Sequence, residues 1–411
     1  MEEYKESGIE WIGMIPKQWN LTKNKYNITI CNGKEINSES GNIPVYGTGG
    51  IFKNTNDYLY NRESVLLGRK GTIDKPLYVN DKFWTVDTMF YTKINKAIIP
   101  KFFYYLALCF DYKYYQTGTT LPSMTQTDLG NIYIPKITTN EQKDIITYLD
   151  TIIPDIDLIV ENLNKQIIIL RKYKSTLVTE AVTKGLNPNI EMKDSRIDWI
   201  GKIPKHWNLK KLKYLLKDLK VGPFGSALSG DDFKDEGYWV YNQRVVLDNN
   251  FKNNDIYVDE NKYNDLKSFK VYPNDILITT RGTIGKVAIV PQNAPNGILH
   301  PCLIRFVLDN TIIKNKLVEL IFNESNIIYE QIYKQSNATT IEVIYSYTLK
   351  ELILPVIPIE EQEQIIDYLS NKCIKINRLI TDKQAQIEKL QIYKQSLIYE
   401  YVTGKKRVKG E

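Results

Sequence analysis

A twenty-residue segment occurs twice in the chain. Residues 7–26 read SGIEWIGMIPKQWNLTKNKY, and residues 195–214 read SRIDWIGKIPKHWNLKKLKY. Fourteen of the twenty positions are identical at an offset of 188, including Trp11, Pro16 and Trp19 and their counterparts Trp199, Pro204 and Trp207. Two tryptophans in so short a segment are unusual for a loop, because such rings are generally buried or contact a partner. The duplication therefore predicts either two domains anchored in the same way or one docking surface used twice.

The repeat continues at the end of each half. IPKITTNEQKDIITYLD from Ile134 recurs as LPVIPIEEQEQIIDYLS from Leu354, and the similarity extends through LRKYKSTLVTEAVTKG and LQIYKQSLIYEYVTGK. The offset here is 220, so the second half holds about 32 more residues between its shared segments. The two halves thus share their starts and ends and differ in their middles.

The shared ends have the pattern of helices. We expect a short helix from about Glu141 and Glu361 and then a longer one, with Pro154-Asp155 at the start of the longer helix as a cap. Apolar residues spaced by three and four predict a coiled-coil seam between the two longer helices, each about 28 residues or roughly 42 Å long. The proposed seam consists of Ile156, Ile159, Leu163, Leu170, Tyr173 and Leu177 with Ile376, Leu379, Leu390, Tyr393 and Leu397, and Ile380 and Ile387 widen it. The alternative is that each helix packs on its own domain.

The middles indicate strands and loops. ESVLLGRKGTIDKPLYV from Glu63 and NDILITTRGTIGKVAIV from Asn274 each predict a strand, a basic turn with glycine and a second strand, aligned at an offset of 211. Outside this hairpin, the middles align poorly; GNIPVYGTGGIF and VGPFGSALSGDDF have no clear counterparts.

Composition limits the possible functions. The 411 residues predict two or more domains, and the net charge of +6 with a pI near 8.7 permits an anionic partner. Four scattered cysteines and two histidines argue against the usual zinc sites and against Ser-His-Asp catalysis. The N-terminal sequence lacks the pattern of a signal peptide, and no apolar run is long enough to span a bilayer, so we expect a cytoplasmic protein.

Catalytic motifs are also missing from the sequence. RGTIGKV lacks the first glycine and the Ser/Thr of a phosphate-binding loop. LNPNIEM departs from the Asn-Pro-Pro-aromatic motif of amino-methyltransferases, and a nuclease-like series from Asp155 to Lys193 would start at a helix cap. We therefore expect no catalysis by this chain.

The remaining chemistry is that of recognition. Arg69, Lys70 and Arg281 lie at turns flanked by glycine, where the backbone can approach a surface, and arginine can bind guanine or phosphate. Asn242 and Arg244 lie in YNQRVV, which we expect to be a strand. The full set of predicted DNA contacts is Tyr46, Thr48, Gly49, Arg69, Lys70, Thr72, Thr120, Ser123, Ser226, Asn242, Arg244, Arg281, Thr283, Lys286, Asn337 and Thr339. For each of them the alternative is a solvated loop residue.

With these motifs the sequence resembles the specificity subunit of a type I restriction–modification system. The resemblance rests on the repeated WIGxIPxxW segments, the PxxEQ helix starts and the helix ends, and it covers essentially the whole chain. IPVYGTGGI, LGRKGTI and FWTVDTMF resemble one class of target-recognition domain, and GPFGSAL and TTRGTIGKVAIV resemble another. Asp74 stands where the second copy has Gly285, so the two turns need not be alike.

The resemblance implies an α+β fold with a pseudo-twofold internal repeat. Two globular α/β target-recognition domains, residues 1–139 and 185–359, would be joined by helical spacers at 140–184 and 360–411 that form an antiparallel coiled coil. Each domain would read one half of a bipartite, asymmetric double-stranded DNA sequence. Roughly one DNA turn, about 34–36 Å, between the readers agrees with the expected helix length.

The resemblance also implies partners. Two methyltransferase subunits would dock on the repeated regions and restriction subunits would join them, with S-adenosylmethionine, ATP and magnesium bound by those partners and none by this chain. The tryptophans and prolines of the repeated segment would fasten each recognition domain to the helices, and part of that surface could meet a methyltransferase. Two other functions stay open from the residues alone: a coiled-coil scaffold whose two heads bind protein, and a self-contained restriction–methylation enzyme, which the missing motifs oppose.

Overall fold

A computed structural model of the protein describes residues 3–36, 40–116, 121–197, 199–335 and 343–408. The chain divides into two compact units: the first comprises residues 1–164 and 383–411, and the second comprises residues 165–382. Two long helices, α4 (Thr139–Lys184) and α10 (Ile359–Val402), each contribute one segment to both units.

The first unit begins with strands and short helices. Its strands are β1 (Tyr4–Glu6), β2 (Met14–Pro16), β3 (Asn20–Lys23), β4 (Ile28–Cys31), β5 (Ile43–Gly47), β6 (Gly50–Thr55), β7 (Ser64–Gly68), β8 (Leu77–Val79), β9 (Trp84–Thr85), β10 (Met89–Ile94) and β11 (Tyr133–Lys136). Its short helices are α1 (Pro100–Ala107), α2 (Tyr112–Tyr115) and α3 (Gln126–Asn131).

The second unit has a similar series. Its strands are β12 (Met192–Asp194), β13 (Lys202–Pro204), β14 (Asn208–Lys211), β15 (Leu216–Val221), β16 (Tyr238–Tyr241), β17 (Tyr257–Val258), β18 (Lys270–Val271), β19 (Ile276–Thr279), β20 (Val287–Ile289), β21 (Gly297–Leu299), β22 (Leu303–Leu308) and β23 (Ile353–Val356). Its short helices are α5 (Gln243–Leu247), α6 (Glu260–Asp265), α7 (Asn315–Glu324), α8 (Ile327–Gln335) and α9 (Ser346–Glu351).

The two units share a sheet topology although their middles differ in sequence. The first contains an antiparallel sheet of order β4-β10-β7-β8, and the second contains one of order β15-β22-β19-β20. Each unit also has a parallel pair in a second sheet, β5 with β9 and β16 with β21. The predicted hairpins are confirmed as β7–β8 and β19–β20. The repeat is therefore one of architecture as well as of sequence.

Strands from the repeated segments pair immediately before the start of each long helix. β3 pairs with β11 immediately before α4, and β14 pairs with β23 immediately before α10. A capping box starts α4, because the Thr138 hydroxyl accepts from the Glu141 N–H (3.3 Å) and the Glu141 carboxylate accepts from the Thr138 N–H (3.1 Å). At the last residue of α9 in the second unit, Glu351 accepts hydrogen bonds from Lys211 and Lys213.

The prediction of a short helix followed by a longer one is wrong. Each pair is one continuous helix, and Pro154 lies inside α4 rather than at a helix start. Proline lacks an N–H and normally interrupts a helix, which is why the sequence suggested a boundary. Here, α4 continues through it, with Ile153 and Ile156 buried on either side.

The two long helices pack together in antiparallel orientation within each unit, as expected. In the first unit Lys394 contacts Asp157, and in the second Lys174 contacts Asn377. Seven of the eleven predicted seam residues are buried or partly buried: Ile156, Leu163, Leu170, Leu177, Ile376, Leu390 and Leu397. The assignment of the other four to the seam is wrong, because Ile159, Tyr173, Leu379 and Tyr393 are 48%, 53%, 50% and 52% exposed.

The seam consists of two rows of residues on each helix, and the predicted residues at Ile156 and Ile376 belong to the first. The second row lies one residue further along each helix than predicted. It contains Val160, Ile167 and Lys174 of α4, and Ile380, Ile387 and Lys394 of α10. The helix turn that buries position 156 also buries 160 and 163, so a shift of one residue rotates the neighbouring side chain by about 100° out of the interface.

Candidate nucleic-acid interface

The basic turn of the first unit lies at one end of its four-stranded sheet. β4 ends at Cys31, which pairs with Tyr91, and β10 begins at Met89 opposite Gly68, the last residue of β7. Beyond these strands, the backbone N–H groups of Arg69 and Lys70 both donate to the carbonyl of Thr88, at 2.9 and 3.4 Å. Thus the turn after β7 and the segment before β10 form one surface.

Asp87 holds Arg69 in place on this surface. The Arg69 guanidinium donates to the Asp87 carboxylate and, at 3.2 Å, to its backbone carbonyl. Lys70 Nζ lies 3.9 Å from the same carboxylate. Asp87 lies within FWTVDTMF and is not among the predicted contacts, although an acidic residue two positions before a strand with several apolar residues could have indicated it.

The β5–β6 turn lies beside the basic turn. A Cβ on Gly71 would lie 3.6 Å from the Thr48 hydroxyl, so the predicted contact residues Thr48, Thr72 and Arg69 belong to one surface. Gly49 is exposed. Tyr46 is only partly exposed, because its ring packs edge-on against Phe83, with centroids 6.3 Å apart.

The second unit places Arg281 in the equivalent position. The Thr280 N–H donates to the Cys302 carbonyl (3.1 Å) and the Thr280 carbonyl accepts from the Ile344 N–H (2.8 Å), which fixes the turn from both sides. Arg281 itself is exposed. Within the part of the chain that the structure describes, no acidic side chain lies within ion-pair distance of it. Among the described side chains Arg281 thus has no carboxylate partner, in contrast to Arg69.

The prediction of a strand over YNQRVV is wrong. β16 ends at Tyr241, and α5 begins with Asn242 as its N-cap, whose side-chain oxygen accepts from the Val245 N–H at 3.1 Å. Asn242 is accordingly 9% exposed. Local capping by Asn competes with strand pairing, and it decides the conformation here. The helix exposes Arg244, which lies 3.6 Å from the carboxylates of both Asp248 and Asp255.

Gln243, which the sequence analysis did not select, lies at the Arg281 turn. A Cβ on Gly282 would lie 3.5 Å from Gln243 Nε2. An amide at this place can donate and accept towards a base edge, as glutamine does with adenine. Its position between the predicted contacts Asn242 and Arg244 could have indicated a role for Gln243. It reaches the Arg281 turn because it begins α5.

The remaining predicted contacts are scattered. Thr283 and Ser226 are exposed, and Ser123 pairs with Lys70 in an isolated β-bridge. Lys286 lines a cavity of about 660 Å³, and its ammonium donates to the Asn323 carbonyl at 2.8 Å. Burial lowers the pKa of Lys286. Thr120, Asn337 and Thr339 lie outside the described residues, so their roles stay predictions.

The repeated tryptophans lie between the ends of the long helices. In the first unit Trp19 Nε1 donates to Glu141 at the start of α4 (3.1 Å), and a Cβ on Gly404, just after α10, would lie 2.5 Å from the Trp19 ring. In the second unit Trp207 Nε1 donates to Glu361 at the start of α10 (3.0 Å), and a Cβ on Gly185, just after α4, would lie 3.4 Å from its ring.

Each of these carboxylates has a second cationic or ionisable partner. Arg407 donates to Glu141 at 3.1 Å, and His206 lies 2.6 Å from Glu361. Burial opposes ionisation of Glu141, but hydrogen bonds from Thr138 and Trp19 and the charge of Arg407 outweigh it and lower its pKa.

The glutamine of each EQ pair is buried, and its side-chain oxygen and nitrogen are both hydrogen-bonded to backbone groups. Gln142 accepts from the Ile99 N–H (2.7 Å) and donates to the Ala97 and Ile137 carbonyls. Gln362 accepts from the Lys314 N–H (2.8 Å) and donates to two carbonyls in the same way. The repeated EQ pair thus joins each helix start to the globular part of its unit.

The other predicted anchors are also placed inward. Pro16 and Pro204 are buried, while Trp11 and Trp199 are partly buried. The Trp11 ring packs edge-on against Phe110, with centroids 5.6 Å apart. Whether any of this surface also meets a partner stays a prediction.

Two kinds of feature are absent from the described residues. No cluster of three His, Cys, Asp and Glu side chains with the arrangement of a metal site occurs among them. None of the helices in the described ranges is long and apolar enough to cross a membrane.

Comparisons with known proteins agree with this geometry. The sequence profile of the type I restriction modification DNA specificity domain matches residues 16–168 and 204–389. The chain is 26% identical over 435 residues to the type I restriction enzyme MjaVIII specificity subunit of Methanocaldococcus jannaschii, covering 100% of this chain and 98% of that protein. It is 27% identical over 292 residues to the putative MjaX specificity subunit of the same organism, covering 70% of this chain and 62% of that protein.

A solved structure has the same fold. It comes from work on the structural basis of complex assembly and conformational transition of the type I R-M system, with a TM-score of 0.67 and 14% identity over 94% of this chain and 98% of that one. These findings do not favour the scaffold function that the residues alone left open. With the specificity domain matched twice, once in each half, the chain belongs to the type I restriction modification DNA specificity family.

Proposed function

We propose that the chain reads a bipartite, asymmetric DNA sequence, one half-site with each unit, as the non-catalytic specificity subunit of a methyltransferase–endonuclease complex. The observation that carries the proposal is the pair of basic turns. Each lies at the same end of a sheet with the same topology, but the surrounding residues differ: Arg69 and Lys70 with Asp87 in one unit, Arg281 with Gln243 in the other. Equal scaffolds with unequal surfaces suit two different half-sites.

A domain exchange tests this proposal. Residues 21–133 are replaced by the equivalent segment of another specificity subunit, and adenine methylation is mapped across the genome of a host that carries the complex. We expect one half of the methylated sequence to change and the other half to stay. A change in both halves would contradict the assignment of one half-site to each unit.

A point substitution tests the basic turn directly. Arg281→Ala in the assembled complex should weaken DNA binding by about 1–3 kcal/mol if the guanidinium reads a base, and should relax the sequence preference at that position alone. Lys217→Ala is the matched control, because Lys217 is an exposed cation of the same unit that pairs with Asp309 near the opposite end of β15. Unchanged affinity and preference in the Arg281 variant would remove this residue from the interface.

We further propose that two methyltransferase subunits dock on the long helices, one at each unit. Four residues support this proposal: Ile159 and Leu379 are equivalent in the repeat, as are Tyr173 and Tyr393, and all four are about half exposed. Each unit thus presents one aliphatic residue and one tyrosine from the antiparallel helix pair. Apolar positions that recur 220 residues apart and yet face solvent suit a partner present in two copies.

Substitutions in one patch test the docking. The double variant Tyr173→Ala/Leu379→Ala should bind one methyltransferase subunit where the wild-type chain binds two, as measured by native mass spectrometry. The equivalent double variant at Ile159 and Tyr393 should remove the other subunit. A variant that retains both subunits would exclude this patch.

Restriction subunits, S-adenosylmethionine, ATP and magnesium complete the proposed complex, with the small molecules bound by the partner subunits. The four cysteines are free, which suits the reducing cytoplasm that we propose as its location.

A further inference from the structure

One phenylalanine of the second unit projects into solvent. Phe224 is 88% exposed, and among the described large hydrophobic side chains none is more exposed. It does not lie in a loose segment: its carbonyl accepts from the Ala227 N–H at 2.8 Å, and Pro223 and Leu228 on either side are buried. The Lys262 ammonium donates to the Ala227 carbonyl at 3.2 Å and so ties the turn to α6. The backbone therefore keeps the ring away from the core.

This turn lies at the same end of the sheet as Arg281. The backbone of Gly222 packs directly on the His300 carbonyl, where a Cβ would lie 2.3 Å away. Val221 of β15 pairs with Ile304, and Thr279 of β19 pairs with Leu303, so both strands flank the start of β22. Two strand spacings separate them by about 10 Å, or about three base-pair steps of DNA.

The first unit has a similar arrangement built from another segment. Ile51 and Phe52 lie in β6, directly after the β5–β6 turn that contains Thr48 and Gly49, and they are 58% and 53% exposed. The Phe52 ring lies 3.4 Å from where a Cβ of Gly47 would be. Thr48 of the same turn lies beside Gly71 next to Arg69, as described above. Both units thus place an exposed ring near a basic turn.

The origin of the two rings favours DNA over a protein partner. Phe52 belongs to the hairpin β5–β6, whereas Phe224 follows β15, the counterpart of β4, so the two rings are not equivalent in the repeat. A partner present in two identical copies would meet equivalent positions, as it would at Tyr173 and Tyr393. DNA does not impose equivalent positions, because every base offers a flat apolar surface that an aromatic ring can contact from different directions.

We propose that Phe52 and Phe224 contact DNA by placing their rings against base faces, each within the half-site read by its own unit. This inference rests on the proposed function and adds a contact that does not depend on hydrogen bonds. A ring that inserts at a base step unstacks it, and the basic turn alongside holds the phosphates or base edges. Since stacking tolerates any base, these residues strengthen binding and local deformation rather than choice of sequence.

The test uses the assembled complex and DNA with 2-aminopurine at successive positions of the half-sites. Phe224→Ala should weaken binding by about 5- to 100-fold, equally for the cognate site and for single-base variants of it, and it should abolish a 2-aminopurine fluorescence increase in one half-site. Phe224→Trp should retain both. Phe52→Ala should act in the same way on the other half-site. The matched control is Tyr214→Ala, an exposed aromatic (64%) at the opposite end of β15, which should change neither signal.

The outcomes separate this inference from the proposed function. Specific binding by the wild-type complex together with full affinity and fluorescence in Phe224→Ala would overturn the inference and leave the function standing. Loss of a methyltransferase subunit from the variant would also overturn it, because the ring would then meet protein. Failure of the wild-type complex to bind any sequence specifically would overturn both.

Discussion

A methyl group added at Gly404 should destabilise the first unit far more than one added at the equivalent Gly185 destabilises the second. Both glycines have left-handed backbone, with φ of +75° and +76°, so alanine costs about 1–2 kcal/mol at either position. At Gly185 the new Cβ would meet Trp207 at 3.4 Å, an ordinary contact. At Gly404 it would lie 2.5 Å from the Trp19 ring and 2.7 Å from Pro16, both buried.

Relieving that overlap forces a shift in a packed core, which costs about 1–3 kcal/mol more. We therefore expect Gly404→Ala to cost about 2–5 kcal/mol and Gly185→Ala about 1–2 kcal/mol. Gly201→Ala serves as a control for the backbone alone, because Gly201 has φ of +67° and no atom lies within 4 Å of its added Cβ.

Denaturant unfolding followed by circular dichroism gives the free energies, and hydrogen exchange of peptides from each unit locates the loss. In a Trp19→Phe background the smaller ring removes the overlap with Trp19, while the overlap with Pro16 remains, so the extra cost of Gly404→Ala should fall. This coupling isolates the contact with the Trp19 ring. Equal destabilisation by Gly404→Ala and Gly185→Ala, or an undiminished penalty in the Trp19→Phe background, would refute the reasoning.

Three further outcomes are expected. Asp87→Ala frees Arg69 and removes a negative charge from the interface, so binding to random-sequence DNA should tighten and its logarithmic salt dependence should steepen by about one, with Asp87→Asn expected to act alike; an unchanged slope would contradict the role of Asp87. Gln362→Leu leaves one buried N–H and two carbonyls without partners and should cost at least about 2 kcal/mol in unfolding experiments, and Gln142→Leu should match it in the first unit; a neutral effect would mean that water replaces the amide. Hydrogen bonds from its two lysines lower the Glu351 pKa to about 2 from 4.5, so its stabilising effect is present above pH 4.5 and is lost as the pH falls to about 2; the difference in unfolding midpoint between wild type and Glu351→Gln should shrink over that interval, and a constant difference would argue against the ion pairs.

The sequence predicted those features that arise from neighbouring residues. The basic turns of Arg69 and Arg281 follow from short apolar runs broken by glycine, and the long helices follow from spacings of three and four. The row of the seam that contains Ile156 and Ile376 could also be predicted, because those positions are apolar in every register of the heptad repeat.

The sequence could not decide between neighbouring apolar positions. Ile159 precedes Val160, and Leu379 precedes Ile380, so either member of each pair satisfies the spacing. Which of them is buried depends on the antiparallel partner helix, a contact between residues far apart in the chain. Both exposed members instead became candidates for partner contacts.

Two other features depended on pairing over long distances. The common sheet topology of the middles joins β4 to β10 and β15 to β22, pairs separated by many residues, so dissimilar sequences concealed it. Asn242 shows the opposite case: its local capping bond ended β16, where the apolar pattern suggested that the strand continued.

The division of the long helices has a consequence for how the protein is made. The core of the first unit contains Leu397, Ile398 and Val402 of α10 together with Ile12 and Trp19, so its two parts are almost a full chain length apart. The second unit is a single continuous segment, residues 165–382. On the ribosome we therefore expect the second unit to complete its core first. The core of the first unit stays incomplete until the C-terminal part of α10 has been synthesised. Truncation near the end of the gene would then leave the N-terminal half unfinished, although every residue of its sheets had been made.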